Sequence, residues 1–174
     1  MSEPASKTIL VVDDEPDVRL FLSSTLIDAG FQVVTAPNGM DAYNRVKESM
    51  PDLITLDLVM PRQSGVVFYK RLRKNPKYLH VPVLIITAHA RDDLGQEGFD
   101  ELMKGIDAPR PNGLLEKPVQ PMELVRKAGE LTGADVSAYV EDAAEDARSS
   151  LLEKLRGADA TTLAEVSALL EKKG

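Results

Sequence analysis

Unbroken runs of aliphatic residues recur through residues 1–130 and constrain the fold more than any other feature of the sequence. Ile9-Leu10-Val11-Val12 and Val83-Leu84-Ile85-Ile86 are two such runs, each about as long as one β-strand. A strand with one solvated face alternates apolar and polar residues, whereas an unbroken run is typical of a strand buried on both faces. The runs therefore predict a parallel sheet that lies between two layers of helices.

Amphipathic segments separate these runs. In the first segment, apolar residues recur at spacings of three and four from Val18 to Ala29, and Gly30 follows as a stop signal. We predict strands at 8–12, 32–36, 53–57, 81–87 and 113–116, and helices at about 16–29, 39–48, 65–74 and from 121, with a polar helical stretch after residue 88. Right-handed crossovers between these units give an open, doubly wound α/β sheet. In such sheets, ligands bind beyond the carboxyl ends of the strands.

Charge and composition exclude several classes of function. The net charge is -7 and no basic stripe interrupts it, which disfavours direct binding to nucleic acid. The chain has no cysteine, so disulfides, cysteine-ligated metals and thiol nucleophiles are excluded. No apolar run reaches the roughly 20 residues of a membrane span, and residues 1–7 lack an apolar signal core. We therefore expect a cytoplasmic protein.

Residues 133–174 differ from the rest of the chain. They hold nine acidic and five basic residues. One apolar helix face is predicted there, formed by Val136, Val140, Ala143, Ala147, Leu151 and Leu155. A second, short helix is predicted from Thr162, which has Glu165 at the spacing of a capping box. We predict a flexible N-terminus at 1–6, a main domain at 7–132 and an acidic helical extension at 133–174.

Five polar residues fall at the carboxyl ends of the predicted strands: Asp13, Asp14, Asp57, Thr87 and Lys117. Carboxylates that are packed together repel one another unless a cation lies among them. Oxygen ligands without histidine or cysteine suit a hard ion such as Mg²⁺. A carboxylate nucleophile, a metal and a lysine are the groups that phosphoryl transfer to a carboxylate requires.

The motifs around these residues resemble those of the receiver domain of two-component response regulators, the chemotaxis-regulator-like superfamily. The segment from Ile9 to Glu15 looks like the first strand and acidic pair of that family. Residues 57–65 match the D-x-x-M-P-x-x-x-G pattern of the family. Thr87-Ala88 matches the family's switch hydroxyl and the small residue that follows it, and Lys117-Pro118 matches the family's lysine before a cis-proline. The four motifs occur in order at strand ends and span about residues 8–131.

The resemblance implies a flavodoxin-like, five-stranded parallel sheet of order 2-1-3-4-5, followed here by a short α-helical C-terminal extension. It implies that Asp57 is the phosphoacceptor and that Asp14 is a direct ligand of Mg²⁺. Asp13 would act largely through a metal-bound water, and the backbone carbonyl of Val59 would complete the protein ligands.

The family also implies a role in signalling. Thr87 would move toward the phosphoryl group and Lys117 would pair with it. The donor would be a sensor histidine kinase or a phosphotransfer protein, and the chain would catalyse only its own phosphorylation and slow dephosphorylation. Phosphorylation would switch contacts with an output protein or a second copy of the chain. We expect no DNA-binding output domain and no association with a membrane.

Two features depart from the family pattern. Leu114 stands three residues before the lysine, where most receivers carry a tyrosine or phenylalanine that swings inward on activation. The interval from Thr87 to Lys117 is also about eight residues longer than in minimal receivers. The segment 88–112 is therefore our candidate for the moving element. We further predict that Val59 and His89 set the lifetime of the phosphorylated state.

Other interpretations of the same residues are weaker. A phosphate-ester hydrolase with Asp57 as nucleophile would need a second acid near it, commonly two residues later, and that residue is Val59. A receiver that has lost phosphorylation and serves only as a binding module is disfavoured by the intact set of five residues. Taken alone, Asp13 and Asp14 could be a helix N-cap and its neighbour.

Overall fold

Five parallel strands form a single sheet in the computed structural model, which describes residues 2–60, 65–88 and 110–159. The strands are β1 (Thr8–Val12), β2 (Gln32–Ala36), β3 (Leu53–Leu56), β4 (Val83–Thr87) and β5 (Gly113–Glu116). Their order across the sheet is β2-β1-β3-β4-β5, with every neighbouring pair parallel. This confirms the predicted flavodoxin-like α/β fold, although β3 ends one residue earlier and β4 begins two residues later than the sequence predicts.

Four of the described α-helices belong to the same unit as the sheet, and a fifth belongs to the second unit of the chain. They are α1 (Pro16–Asp28), α2 (Gly39–Glu48), α3 (Gly65–Arg73), α4 (Pro121–Thr132) and α5 (Ser137–Arg156), with two short 3-10 helices at Pro4–Ser6 and Pro76–Tyr78. Helix α1 packs beside α4, and α2 packs beside α3. The predicted helical stretch after residue 88 and the predicted helix from Thr162 lie outside the described residues.

Local sequence signals explain where these helices begin and end. Proline occupies the first turn of α1 and of α4, where its missing N–H is not needed. At the start of α2, the side chain of Asn38 accepts hydrogen bonds from the N–H groups of Met40 and Asp41. Helix α4 ends at Gly133, whose φ of 71° lies in the left-handed region that favours glycine.

Successive residues of the central strands pack into opposite halves of the core. Leu10 and Val12 of β1 lie in one cluster with Phe68 and Tyr69 of α3, and all four are at most 2% exposed. Their neighbours on β1, such as Ile9, are equally buried but belong outside that cluster. The strands are thus buried on both faces, which is why their sequences are unbroken aliphatic runs.

The first described residues are tied to the end of α4. The N–H of Ser2 donates to the carbonyl of Gly133 (3.1 Å), and the N–H of Asp135 donates to the carbonyl of Ser2 (2.9 Å). Ser2 and Ala134 thereby form an isolated parallel bridge. The division of the chain into 1–6, 7–132 and 133–174 stays a prediction.

The chain divides into two compact units between Val136 and Ser137. The second unit begins with the 20 residues of α5, a helix that matches the apolar pattern predicted for this region. Among the helices that the structure describes, none is both long and apolar enough to span a membrane.

Candidate functional site

The ends of β1 and β3 place two carboxylates side by side. The two strands are neighbours, with Val12 paired to Leu56, and the N–H of Asp57 donates to the carbonyl of Val12 (3.0 Å). Asp13 and Asp57 are therefore the first residues beyond two adjacent strands. This is also where the strand order reverses, because the chain leaves β1 toward β2 and leaves β3 toward β4. Such a switch point opens a crevice at the edge of the sheet.

The end of β5 brings a lysine to the same edge. The N–H of Lys117 donates to the carbonyl of Thr87, the last residue of β4 (2.9 Å). The peptide bond between Lys117 and Pro118 is cis, as the resemblance implies. Thr87 is buried, with 4% of its surface exposed.

Lys117 joins the carboxylates through its side chain. Its ammonium nitrogen lies 2.6 Å from Oδ2 of Asp57, 3.0 Å from Oδ2 of Asp13 and 3.2 Å from Oε1 of Glu15. Asp13 and Asp57 are almost completely buried, whereas Glu15 is largely exposed. Because a buried charge is costly unless it is paired, the contacts to Asp13 and Asp57 are the ones that stabilise the cluster.

Backbone N–H groups bind the remaining carboxylate oxygens of the two buried residues. Oδ1 of Asp57 accepts a hydrogen bond from the N–H of Val59 (2.9 Å), and Oδ1 of Asp13 accepts one from the N–H of Glu15 (3.0 Å). Glu15, and not Asp14, is the N-cap of α1, and no side chain caps that helix. The alternative that Asp13 and Asp14 are a helix N-cap and its neighbour is therefore wrong, because Asp13 fixes the turn that precedes the N-cap.

Burial and charge act together on the ionisation of this cluster. Burial raises the pKa of the Asp13 carboxyl above its ordinary value, although Lys117 and the N–H of Glu15 act in the opposite direction. Burial alone would lower the pKa of Lys117, but its contacts with Asp57 and Asp13 outweigh this and raise the pKa above its ordinary value. The lysine therefore stays charged, and the carboxylate cluster retains one cation.

Three carboxylates could hold a metal ion at this edge. One oxygen from each of Asp13, Asp14 and Asp57 lies within 4.8 Å of the others. Asp14 is half-buried, so its carboxylate faces partly toward solvent while the other two lie deeper. An oxygen-only set with one accessible member fits Mg²⁺, which binds through one or two carboxylates and keeps several waters.

Comparison with known proteins agrees with this geometry. The sequence profile of the response regulator receiver domain matches residues 9–128. The chain belongs to this family. Response regulator Rre1 of Synechocystis is 34% identical over 71% of the chain, which spans about half of that relative (50%).

Solved structures share the fold. Chemotaxis protein CheY4 of Vibrio cholerae is 29% identical, with a TM-score of 0.61 over 72% of this chain and 98% of CheY4. The receiver domain of sensor histidine kinase PA1611 of Pseudomonas aeruginosa has a TM-score of 0.64 at 24% identity, over 74% of this chain and 98% of that one, and carries a magnesium ion in its active-site cleft.

Receiver domains are the phosphorylatable signalling modules of two-component systems. They interact with histidine kinases or phosphotransfer proteins and bind Mg²⁺ at their acidic site. The receiver described here brings Asp13, Asp57 and Lys117 into direct contact and places Asp14 beside them. The individual roles of these residues, and those of Thr87 and Val59, stay predictions. His89 lies outside the described residues.

The first residue of α3 determines how closely that helix approaches the site. A Cβ atom at Gly65 would overlap the carbonyl oxygen of Asp57 and would lie 2.9 Å from the Cα of Leu58. Only glycine therefore allows the receiver to seat α3 against the backbone of Asp57. This gives a physical reason for the glycine that ends the D-x-x-M-P-x-x-x-G motif.

Two contacts of the site were not predicted from the sequence. Glu15 reaches Lys117, and a guanidinium nitrogen of Arg19 donates to the carbonyl of Asp13 (2.7 Å). Arg19 lies one turn after the N-cap Glu15. The sequence signal that could have indicated its contact with Asp13 was therefore a basic residue four positions after the acidic segment. That spacing is common on helix surfaces, and by itself it does not indicate a contact with the preceding turn.

Proposed function

We propose that this receiver takes a phosphoryl group on Asp57, in the presence of Mg²⁺, from a sensor histidine kinase or a phosphotransfer protein. The observation that carries the proposal is the position of the Lys117 ammonium, 2.6 Å from a buried oxygen of Asp57 within a cluster of carboxylates. A nucleophile, a cation and a candidate metal site thus share one crevice. These are the components of phosphoryl transfer to a carboxylate.

The transfer involves one bond formed and one broken. A carboxylate oxygen of Asp57 attacks the phosphorus of a phosphohistidine, the phosphorus–nitrogen bond breaks, and its electron pair stays with the imidazole nitrogen of the donor. The product is an acyl phosphate on Asp57. Asp57 is oriented for this attack by the N–H of Val59 on one oxygen and by Lys117 on the other. Orientation of this kind lowers the entropic part of the barrier.

Asp13, Asp14, Asp57 and the backbone carbonyl of Val59 would hold the magnesium ion. When bound, the ion supplies positive charge for the oxygens of the transferring phosphoryl group. Asp14 is the accessible carboxylate, whereas both oxygens of Asp13 already have close contacts, with Lys117 and with the N–H of Glu15. This supports a direct role for Asp14 and a more indirect role for Asp13.

Thr87 and Lys117 would report phosphorylation to the rest of the protein. The hydroxyl of Thr87 donates to the phosphoryl group and Lys117 pairs with its charge. The hydrogen bond between the backbones of the two residues supports a joint response. Leu114 on the edge strand β5 is 43% exposed and has no aromatic ring to rotate. The segment 88–112, which is the candidate moving element from the sequence, lies mostly outside the described residues.

The output of the switch is a change in contacts with another protein. The net charge of -7 supports this over contact with a nucleic-acid backbone. The receiver itself would catalyse only its own phosphorylation and a slow loss of the phosphoryl group. Val59 supports slow loss, because its exposed apolar side chain offers no hydrogen bond to an attacking water.

Intact mass after incubation with acetyl phosphate and Mg²⁺ tests the acceptor. One phosphoryl group is expected on the parent chain and none on Asp57→Asn. Asp52→Asn is the matched control, because Asp52 precedes the same strand but pairs with Lys7. Its labelling should equal that of the parent. Continued labelling of Asp57→Asn on another aspartate would disprove the assignment.

The lifetime of the labelled protein tests the role of Val59. Val59→Asn gives the attacking water a hydrogen-bonding partner, so the phosphoryl group is expected to be lost several times faster than from the parent. Val67→Asn is the control, because Val67 is similarly exposed but lies on α3. Equal lifetimes in all three proteins would remove the proposed role of Val59.

A further inference from the structure

Strand β5 brings Lys117 to the site, but the apolar pattern of β5 does not fix its register. It is an edge strand of four residues, Gly113–Glu116, and among the described strands it pairs with β4 alone. Its two central residues are both leucine: Leu115 is 4% exposed and Leu114 is 43% exposed. A slip of one residue turns every side chain to the other face, and here it would exchange one leucine for the other. The apolar pattern therefore selects the observed register only weakly.

The register matters because Lys117 directly follows β5. One residue of slip moves the backbone by about 3.3 Å along the strand. The Lys117 ammonium lies 2.6 Å from Oδ2 of Asp57 and 3.0 Å from Oδ2 of Asp13. A displacement of this size would break both contacts unless the lysine side chain changed its conformation. The placement of the lysine thus depends on how β5 pairs with β4.

Asn112 ties the beginning of β5 to the beginning of β4. Its side-chain Oδ1 accepts a hydrogen bond from the N–H of Val83 (3.0 Å), and its own N–H donates to the carbonyl of Val83 (2.8 Å). Val83 is the first residue of β4, and Asn112 immediately precedes β5. In a register shifted by one residue, Pro111 or Gly113 would take this place opposite Val83. Neither has a side-chain acceptor, and Pro111 also lacks the N–H.

Gly113 acts in the same direction by a different means. A Cβ atom at this position would lie 3.0 Å from Cδ1 of Leu84 and 3.3 Å from Cε of Lys127. A slipped strand would place a residue with a Cβ atom there and would crowd these two side chains. The glycine thus disfavours the slipped strand, whereas the hydrogen bonds of Asn112 stabilise the observed one.

We propose that Asn112 is a positioning residue for Lys117 and that it acts by fixing the register of β5 against β4. The N–H of Lys117 donates to the carbonyl of Thr87 at the other end of the same two strands (2.9 Å), so the bonds of Asn112 and Lys117 enclose the paired segment. The consequence for phosphoryl transfer rests on the proposed function of Lys117 and Asp57. The register itself can be measured without a phosphoryl group.

Amide hydrogen exchange of the full chain, followed residue by residue by NMR, tests the register. In Asn112→Ala, the N–H of Lys117 is expected to exchange about fivefold faster than in the parent, the equivalent of one hydrogen bond, although it lies about 13 Å from Val83 along the strands. The N–H of Asp57, which donates to the carbonyl of Val12, is the internal control and should keep its parent rate. Faster exchange at Val83 alone would show a purely local bond. Equal acceleration at Lys117 and Asp57 would show general destabilisation, and either result overturns the proposal.

A second substitution separates the register from stability. Leu114→Thr makes the exposed face of β5 polar, so the apolar pattern alone then selects the observed register. It should resemble the parent by itself, and in Asn112→Ala it should restore the exchange rate of Lys117. Asn112→Asp keeps a side-chain acceptor and should also resemble the parent. Asn38→Ala is the matched control, because Asn38 likewise accepts from backbone N–H groups, but at the start of α2. Failure of Leu114→Thr to rescue Asn112→Ala would show that Asn112 does not act through the register.

Labelling by acetyl phosphate connects the register to the chemistry. Well below the unfolding temperature, Asn112→Ala should be labelled about fivefold more slowly than the parent, and Leu114→Thr should restore the rate. A parent that is not labelled on Asp57 would overturn the proposed function and leave the exchange result standing. Parent-like labelling of a variant with altered exchange would show that the register does not position Lys117 for transfer. If Asn112→Ala does not fold, alone or with Leu114→Thr, Asn112 supports the whole fold and the proposal fails.

Discussion

The sheet edge and helix α5 are both acidic, but the structure uses their carboxylates in opposite ways. At the sheet edge, Asp13 and Asp57 are almost fully buried and share the ammonium of Lys117. In α5, the acidic side chains are exposed, and the contact between Glu145 and Arg148 is a loose surface pair at 3.7 Å. Acidic residues thus form a candidate site where strands from distant parts of the sequence converge and bury them. The number of acidic residues in a segment does not by itself indicate a site.

The apolar residues of the two regions show the same contrast. Leu56 on β3 is fully buried, whereas Leu152 on α5 is 57% exposed. A strand in the middle of a doubly wound sheet is covered by helices on both faces, whereas a single amphipathic helix covers nothing unless another element packs on it. The two leucines therefore contribute very differently to the stability of the chain.

The largest expected difference comes from truncating these two leucines. Leu56→Ala should lower the free energy of unfolding by about 2–5 kcal/mol, because it leaves a cavity in the core. Leu152→Ala should change it by less than about 0.5 kcal/mol. Urea unfolding of the full chain at low micromolar concentration measures both. Equal losses would show that Leu152 is covered in solution, which would remove the contrast between the two regions.

A glycine in each region gives the next largest difference. Gly65→Ala should cost about 1–3 kcal/mol, because its Cβ overlaps the backbone of Asp57 and α3 must move. It should also slow labelling of the protein by acetyl phosphate. Gly157→Ala is the matched control, since among the described residues its Cβ would meet only the carbonyl oxygen of Lys154, at an ordinary contact distance of 3.9 Å. If Gly65→Ala leaves both stability and labelling unchanged, α3 does not position Asp57.

Magnesium affinity compares the two acidic regions directly. Asp14→Asn and Asp57→Asn should each weaken Mg²⁺ binding by about tenfold or more, and Asp13→Asn by less, because Asp13 already has close contacts with Lys117 and Glu15. Asp142→Asn in α5 should have no effect. Isothermal titration of each variant gives the affinities. Parent-like binding by Asp14→Asn would show that the metal site is assigned to the wrong residues.

The smallest effect on stability is expected for Glu15, the exposed carboxylate of the site. Glu15 lies 3.2 Å from Lys117, but its side chain is 62% exposed. Glu15→Gln should therefore change stability by less than about 0.5 kcal/mol, no more than Glu145→Gln in α5. Thermal unfolding of the two variants makes the comparison. A clearly larger loss in Glu15→Gln would mean that the Lys117 cluster depends on all three of its carboxylates.

The fold was predictable because its strongest signals are local. Aliphatic runs identified β1, β3 and β4, and proline or a capping residue marked the starts of α1, α2 and α4. The candidate site followed from the geometry of parallel sheets, since Asp57 and Lys117 had to reach the same edge once they were placed at strand ends. The contact between these two residues, 60 positions apart, agrees with that expectation.

The unpredicted features depend on contacts that a sequence pattern does not encode. Arg19 donates to the carbonyl of Asp13, which requires the precise exit angle of α1 from the sheet. The tight seat of Gly65 against Asp57 depends on the approach of α3 to β3. The bounds of two strands also differ from the predicted ones, because β3 stops before Asp57 and β4 starts after Pro82, which has no N–H to donate.

The bridge between Ser2 and Ala134 brings the beginning of the receiver to within hydrogen-bonding distance of the residues that follow α4. A domain whose two ends meet can be spliced into a surface loop of a host protein with little distortion of either partner. The same proximity allows circular permutation, with a short glycine-rich linker that joins these residues and new ends opened in an exposed loop. Through these two neighbouring ends, this receiver is thus suited to act as an insert in engineered fusion proteins.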